Sequence, residues 1–255
     1  MPALDYSDIA DLYDSFVRFE EDIPFFLEEC RTAAGAVAEL MAGTGRVSIP
    51  LIEAGIRLSC IDSSQAMLAV LRRKLEVRGL NAPVIAEDVV CLSFREQFDL
   101  AFVAFNSFAE FLTEGQQLAA LSAIHRALAP GGRLLCTLHN PPVRRRTLDT
   151  GLTTLGRFPV QGGSGEVILE ADFSYDDASR LVHGLEVVAV LNAGGERVCE
   201  RSVPVRFALI ERSAFEALVM RTGFSPEQLY GDYHRSEFSE DSSRYMIWSL
   251  RKRSA

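Results

Sequence analysis

Two carboxylates and two glycines make the densest chemical pattern in this chain. Glu39 closes the apolar run Ala36-Val37-Ala38, Gly43-Thr44-Gly45 follows, and Asp62 closes a second apolar run at residues 56–61. Glycines at Gly43 and Gly45 let backbone approach a ligand closely, because neither carries a Cβ and both tolerate positive φ. A carboxylate at Asp62 can accept hydrogen bonds from both vicinal hydroxyls of a ribose. Glu39, ahead of the loop, suits a ligand with a cationic amine and no phosphate. Together these groups point to an adenosine-containing cofactor. Two other nucleotide cradles fit poorly: Gly43-Thr44-Gly45-Arg46-Val47-Ser48 lacks the third glycine of a dinucleotide fingerprint, and no Gly-Lys-Ser or Gly-Lys-Thr follows, as a P-loop requires.

The hydrophobic pattern predicts the elements that hold these groups. Residues 36–40, 56–61, 84–87, 100–104 and 133–138 read as buried strands. Residues 47–54, 64–78 and 116–128 read as helices, the second with Ser63 or Ser64 as N-cap and Met67, Leu68, Leu71 and Leu75 on its apolar face. Alternating elements imply a parallel sheet with crossover helices. Such sheets bind ligands at the carboxyl ends of their strands, here Glu39, Asp62, Asp88, Asn106 and His139. Residues 7–30 read as an amphipathic helical stretch interrupted at Pro24. After Asn140 the rhythm changes to antiparallel strands at 157–158, 167–175, 180–190 and 197–210, joined by Gly-Gly-Ser-Gly, Asp-Asp and Ala-Gly-Gly turns. A helix at 213–222 and a final strand pair complete the chain.

These residues resemble the S-adenosylmethionine-dependent methyltransferases of the Rossmann-like class, bacterial small-molecule type. Glu39-Leu40-Met41-Ala42-Gly43-Thr44-Gly45 is similar to that family's first motif, Glu/Asp-Leu-Gly-Cys-Gly-Thr-Gly. Asp62 falls at the family's ribose-binding acid, and Glu87-Asp88-Val89 where an acid and its neighbour hold the adenine amino group. The run from Phe98 to Phe108 looks like the fourth strand and its substrate-facing end, and Leu128-Ala129-Pro130-Gly131-Gly132-Arg133-Leu134 like the turn into the fifth. Leu229-Tyr230-Gly231-Asp232-Tyr233 and Tyr245-Met246-Ile247-Trp248 resemble the last hairpin. The resemblance implies an α/β fold with a mostly parallel sheet flanked by helices and an antiparallel β-insert after the fifth strand. It implies S-adenosylmethionine as cofactor, with Tyr13, Glu39, Met41, Gly43, Gly45, Asp62, Ser63, Met67, Asp88, Val89 and Phe105 around it. One position departs: Met41 stands where the family has its first loop glycine, so close approach relies on Gly43 and Gly45.

The catalytic-face candidates are Asn106, Glu110 and His139. Glu110 lies where similar sugar N-methyltransferases have a histidine, so its carboxylate is placed either to steady an ammonium and receive its proton or to sit solvated at a helix start. His139 offers an imidazole base near neutral pH, or a packing residue at a strand end. Tyr13 and Phe16 read as a lid over the cofactor or as core, and Arg46 as a partner for the cofactor carboxylate or a helix flank. Arg144-Arg145-Arg146 reads as a loop that holds a substrate anion or is merely solvated, and His234 and Arg235 as a polar loop reaching the substrate. The domain reading is one unit, 1–255, with a helical lid at 1–35 and a β-insert at 151–210 roofing the substrate site. The implied activity is methyl transfer to a small molecule, with an amine favoured over a hydroxyl. Against it stand a nicotinamide-dependent reductase, disfavoured by the missing third glycine, and a methyltransferase-like cofactor-binding protein or subunit without transfer activity, which Met41 keeps open.

Composition narrows the partners. The 255 residues carry a net charge of −9, which disfavours a broad phosphate-binding surface and so a nucleic-acid substrate. The five cysteines form no C-x-x-C pair and have no histidine at ligand spacing, so no metal is expected and buried thiols in a reducing compartment are. Residues 1–16 lack the regions of a secretory signal, and no apolar run reaches transmembrane length; a cytoplasmic protein with no membrane partner is expected. Nothing in the sequence fixes an oligomeric state.

Overall fold

The computed structural model of the chain describes residues 6–148, 151–161 and 163–253. In chain order, the elements up to the fifth strand are α1 (Tyr13–Phe16), α2 (Ile23–Arg31), β1 (Val37–Leu40), α3 (Ser48–Glu53), β2 (Leu58–Asp62), α4 (Gln65–Val77), β3 (Val84–Ala86), β4 (Phe98–Val103), α5 (Glu114–Ala127) and β5 (Leu128–His139). Then follow α6 (Pro141–Arg146), β6 (Thr153–Pro159), β7 (Glu166–Asp176), β8 (Leu181–Leu191), β9 (Arg197–Ala208), α7 (Arg212–Arg221), β10 (Phe224–Tyr230) and β11 (Tyr245–Lys252). Short 3-10 turns occupy Ser7–Ile9, Val89–Cys91 and Ser107–Glu110.

β1 is buried at every position, as a strand with helices on both faces must be. It sits inside a seven-stranded sheet of order β10-β11-β5-β4-β1-β2-β3. β1 pairs in parallel with β2 and β4, β4 with β5, and β2 with β3, whereas β11 runs antiparallel to β5 and β10 antiparallel to β11. The inserted strands form a separate antiparallel sheet, β6-β7-β8-β9. The fold is therefore the Rossmann-like mostly parallel sheet with a β-insert after the fifth strand. Helix starts are set locally: the Ser64 hydroxyl accepts the Met67 amide at 3.4 Å, and Thr113 and Gln116 form a capping box on α5. Among the described residues no helix is long and apolar enough to cross a membrane.

Three apolar clusters position the site. One gathers α5, α7 and β11 around residues such as Leu40, Phe108, Phe215 and Trp248, and a second joins α2, α3 and α4 through Phe26, Leu51, Leu68 and Phe102. The third is Ile9, Leu12 and Phe16 packed on Val167, Leu169, Val188, Val203 and Val205, which binds the N-terminal segment to the insert.

Four expectations are corrected. Residues 7–30 are not one helix interrupted at Pro24. Pro24 lies in the first turn of α2, where its missing N–H costs nothing, and the chain leaves α1 at Val17 in extended conformation. β3 is half-buried rather than buried, because it is the outermost strand. The arginine run belongs to α6 and not to a loop, since Pro141 and Pro142 open a helix at its first turn. Residues 157–158 are part of the longer strand β6. Gly162 of the expected Gly-Gly-Ser-Gly turn and residues 1–5 of the expected lid lie outside the described residues.

Gly45 shows how the loop is seated against its helix. Its φ is +81°, and a Cβ there would lie 2.3 Å from Leu71 Cδ1 on α4. Gly45→Ala is expected to lower stability by about 1–3 kcal/mol through left-handed strain and overpacking, read from chemical denaturation; an unchanged midpoint would show that Leu71 simply rotates away.

Candidate active site

The loop after β1 is held by Asp62. One carboxylate oxygen accepts the Gly43 amide at 2.7 Å and the other accepts the Ser64 amide at 2.8 Å. Burial pushes the Asp62 carboxyl above its ordinary value, and these backbone amides pull it back. Each oxygen keeps a second lone pair, so acceptor capacity remains for ligand hydroxyls. Glu39, at the end of β1, is buried at 3 % exposure and accepts a short hydrogen bond from the Ser48 hydroxyl. Burial pushes its carboxyl up to about 8, against the opposing effects of Ser48 and Arg46.

Gly43 and Gly45 divide the work of the loop. Gly43, at φ +56°, faces near-open space, where a Cβ would meet only Met67 Cε at 3.6 Å. That is the surface a ligand can approach. The space over Gly45 is filled by Leu71. Met41 takes φ 59°, the conformation a glycine adopts without strain, so the backbone of the loop is kept although the residue is not. Phe105 and Asn106, at the end of β4, also lie at positive φ, 54° and 62°. Strained non-glycine residues thus gather at the strand ends that carry the site.

Two connected spaces lie above these strand ends. A cleft of about 40 Å³ is bordered by Tyr13, Glu39, Met41, Gly43, Arg46 and Phe105. It shares Tyr13, Phe105 and Ser107 with a cavity of about 720 Å³ between the sheet's strand ends and the insert. Asn106, Glu110 and His139 line the larger cavity, together with Phe173, Glu186, Val205 and Phe207 from the insert. The Asn106 side-chain oxygen is buried without a partner among the described residues, an acceptor with capacity to spare. Burial pushes Glu110 up to about 8, helped by the charge of Asp62.

Several site candidates stand elsewhere. Asp62, Ser63, Met67, Asp88 and Val89 border neither space, although Asp62 is tied to the loop at Gly43, which does border the cleft. Asp88 is exposed and caps the 89–91 turn through the Val90 amide at 3.0 Å, and Val89 is buried in the core. His139 is no base near neutral pH: burial and the charges of Arg144 and Arg244 push it down to about 3, so it is a neutral imidazole. Arg46 is committed to Asp22 by two hydrogen bonds of 2.6 Å and lies over the Phe105 ring at 4.7 Å. Arg235 does not reach the cavity; it pairs with Glu28 and Glu29 over the Phe25 ring. Phe16 packs on the insert, and Tyr13 lines both spaces. Sequence reading missed Tyr6, Glu186 and Arg244. Only Glu186 carried a signal, a carboxylate in phase with Val182, Val188 and Val190 along β8.

Residues 37–132 match the family model for a methyltransferase domain. Demethylmenaquinone methyltransferase from Thermus thermophilus is 35% identical over 111 residues, 42% of this chain and 48% of that protein. The chain spans about half the length of the curated relatives it matches. A solved S-adenosylmethionine-dependent methyltransferase from Clostridium acetobutylicum superposes with TM-score 0.82 at 16% identity, over 98% of this chain and 99% of that one. The sugar N-methyltransferase KedS8 from Streptoalloteichus superposes with TM-score 0.74 at 19% identity, over 95% and 91%. Residues 37–132 thus match a methyltransferase domain, and the chain as a whole has the fold of S-adenosylmethionine-dependent methyltransferases. The donor set fits S-adenosylmethionine: a buried carboxyl beside the open face of Gly43, and Asp62 with lone pairs left for ligand hydroxyls. The 40 Å³ cleft adjoins the larger cavity through the shared Tyr13, Phe105 and Ser107, so a ligand longer than the cleft can extend along both.

Two tests follow from the loop. Met41→Gly and Met41→Ala remove the same packing, but only glycine releases the left-handed strain. Met41→Gly is therefore expected to be the more stable of the two by about 1 kcal/mol, the reverse of the order in ordinary backbone. Equal denaturation midpoints would mean that no strain resides at Met41. The buried carboxyls make a second prediction. A carboxyl raised in the folded state contributes stability that is fully present below its ordinary value of 4.5 and lost as pH rises through about 8. Stability of the ligand-free protein is expected to fall across that window, and Glu39→Gln to flatten the fall; a variant with the wild-type slope in denaturation at several pH values would remove Glu39 as its cause.

Proposed function

We propose that this chain methylates an amine on a small molecule held in the 720 Å³ cavity. The observation that carries this reading is Glu110, a carboxyl on the cavity wall at the end of the 107–110 turn. Bound S-adenosylmethionine supplies an electrophilic methyl carbon, whose bond to sulfur breaks as the acceptor nitrogen's lone pair forms the new bond. The chain's own residues have three tasks: to align the nitrogen, to exclude water, and to take the proton the nitrogen releases. Glu110 suits the third, because a proton acceptor works best when its affinity lies near the working pH, and burial has brought this carboxyl to about 8. An amine also suits a wall that carries Glu110 and Glu186 more than a neutral hydroxyl does. The likeness in fold to a sugar N-methyltransferase supports the same preference.

Glu39, Gly43 and Asp62 hold the cofactor, and Asn106 offers its free oxygen to the bound pair. Residues 1–35 act as a lid and residues 151–210 as a roof. Tyr13 and Phe19 line the cavity from the lid, and Leu155, Phe173, Glu186, Val205 and Phe207 line it from the roof. The acceptor's shape is thus read by the insert, while the first half of the chain binds the cofactor. The protein works in the cytoplasm, where its free cysteines stay reduced.

Asp62 ties the loop as well as meeting the ribose, so Asp62→Asn is a cleaner test than alanine. It is expected to weaken binding of the demethylated cofactor about tenfold or more in calorimetry, with the fold retained. Undiminished affinity would place the ribose elsewhere. Glu110→Gln is expected to lower turnover roughly 10²–10⁴-fold at unchanged cofactor affinity. Turnover within a factor of two of wild type would exclude Glu110 as the proton acceptor.

A further inference from the structure

The charges around the large cavity are sorted by sign. Glu110 from the 107–110 turn and Glu186 from β8 stand with two phenols, Tyr6, whose hydroxyl donates to Glu186 at 3.4 Å, and Tyr13. Both phenols feel both carboxylates. Arg144 from α6 and Arg244 from the residue before β11 form a second group around His139. His139 feels both guanidinia, and Arg144 feels Arg244. Between the groups the lining is largely apolar, with Val143, Leu155, Val205 and Phe207.

The basic group is left without a counter-charge. Arg145 pairs with Glu211 at 3.0 Å, and Arg146 is spent on the carbonyls of Asp241 and Pro142. Neither Arg144 nor Arg244 has a carboxylate within ion-pair reach among the described residues. The Arg144 guanidinium lies over the Phe173 and Phe207 rings at 5.8 and 5.7 Å, and one nitrogen donates to Thr147 Oγ1 at 3.4 Å. Its Nε is buried with no partner among the described residues. Arg244 is exposed over the Tyr245 ring at 5.2 Å, but Arg144 carries a like charge beside it with an orphaned buried donor, a cost that a bound anion relieves. His139, being uncharged, can add an N–H donor without adding charge.

We propose that Arg144 and Arg244 form an anion subsite, so that the acceptor is zwitterionic, with its amine at Glu110 and Glu186 and a carboxylate or phosphate at the two guanidinia. This rests on the amine-methylation reading above and narrows its substrate class. An aliphatic or aromatic body links the two ends along the apolar lining. Simple amines are then poor acceptors, because they leave the guanidinia unpaired.

The test uses the full chain with methyl-labelled S-adenosylmethionine and a bacterial metabolite extract, the labelled products being passed over cation and anion exchangers. The expected product is retained by both. Loss of anion-exchange retention after phosphatase treatment identifies a phosphate, and retention that survives identifies a carboxylate. With the isolated acceptor, Arg144→Gln and Arg244→Gln are each expected to raise KM about tenfold or more at unchanged cofactor affinity, and Arg144→Lys to recover part of the loss, since it keeps the charge without the fork. A labelled product retained by the cation exchanger alone overturns the subsite and leaves amine methylation standing. Variants that lose melting temperature but keep the wild-type KM also overturn it. No labelled product from a protein that binds the cofactor overturns both readings.

Discussion

The Asp62 carboxylate is the tie on which the geometry of the site depends. It stands at the last residue of β2, and its two oxygens gather one amide from the loop after β1 and one from the start of α4. Two crossover connections, β1–α3–β2 and β2–α4–β3, are thereby registered at a single group. Because β1 and β2 pair in parallel, with Leu40 opposite Ile61, the loop can reach that carboxylate only if both strands end level. The tie is also what leaves Gly43 with its open face toward the cleft, since the amide is drawn down onto β2 and the Cα side is turned upward.

Above this loop lies a segment that belongs to two structures at once. Asp14 accepts the Thr44 hydroxyl at 2.6 Å and pairs with Lys74 at 2.8 Å, so α1 is fastened to the glycine loop and to α4. On its other side Ile9, Leu12 and Phe16 pack into the insert, the Ser15 hydroxyl accepts the Gln161 amide at 3.2 Å, and Arg18 donates to the Pro159 carbonyl at 3.0 Å. A movement that widens the 40 Å³ cleft at Tyr13 must either break the polar contacts to the loop or carry the insert with it. The polar set is the weaker, because partly exposed ion pairs contribute little, whereas the apolar cluster is buried throughout. The N-terminal segment and the insert are thus expected to shift as one body against the main sheet.

The parts of this molecule that the sequence shows are those whose cause is local. Interior strands such as β1 and β4 are buried on both faces and read as continuous apolar runs, and Ser64 and Thr113 announce their helices by their own side chains. β3 was read as buried because nothing within Val84–Ala86 says that no strand lies beyond it. The same division holds in the site. The positions of Glu39 and Asp62 at strand ends and of Gly43 in a turn were legible because two strands and one turn place them locally. His139 was read as a titrating base or a packing residue, and the choice between them rests on its burial beside Arg144 and Arg244, which the packing of α6 and of the chain before β11 produces and the strand itself does not announce. Glu186 was half-legible, as a carboxylate in the inward phase of an apolar strand. Arg244 had no signal, being one exposed arginine ahead of a strand.

The distribution of costs within the site explains what kind of ligand it awaits. Glu39 and Glu110 are pushed up to about 8 and Glu186 to about 7, all chiefly by burial. In a chain whose net charge is −9, carboxyls pack away from water only at the expense of stability, and a fold selected for stability alone would place apolar groups there. The carboxyls are spread along a path from the cleft, where Glu39 sits, to the far cavity wall, where Glu186 sits. A cationic ligand in the cleft and a second in the cavity each find a group that burial has left poorly solvated and in need of a counter-charge. On the proposed reading, the desolvation that raises these carboxyls is the cost a cationic ligand offsets, by favouring their ionised form as it binds.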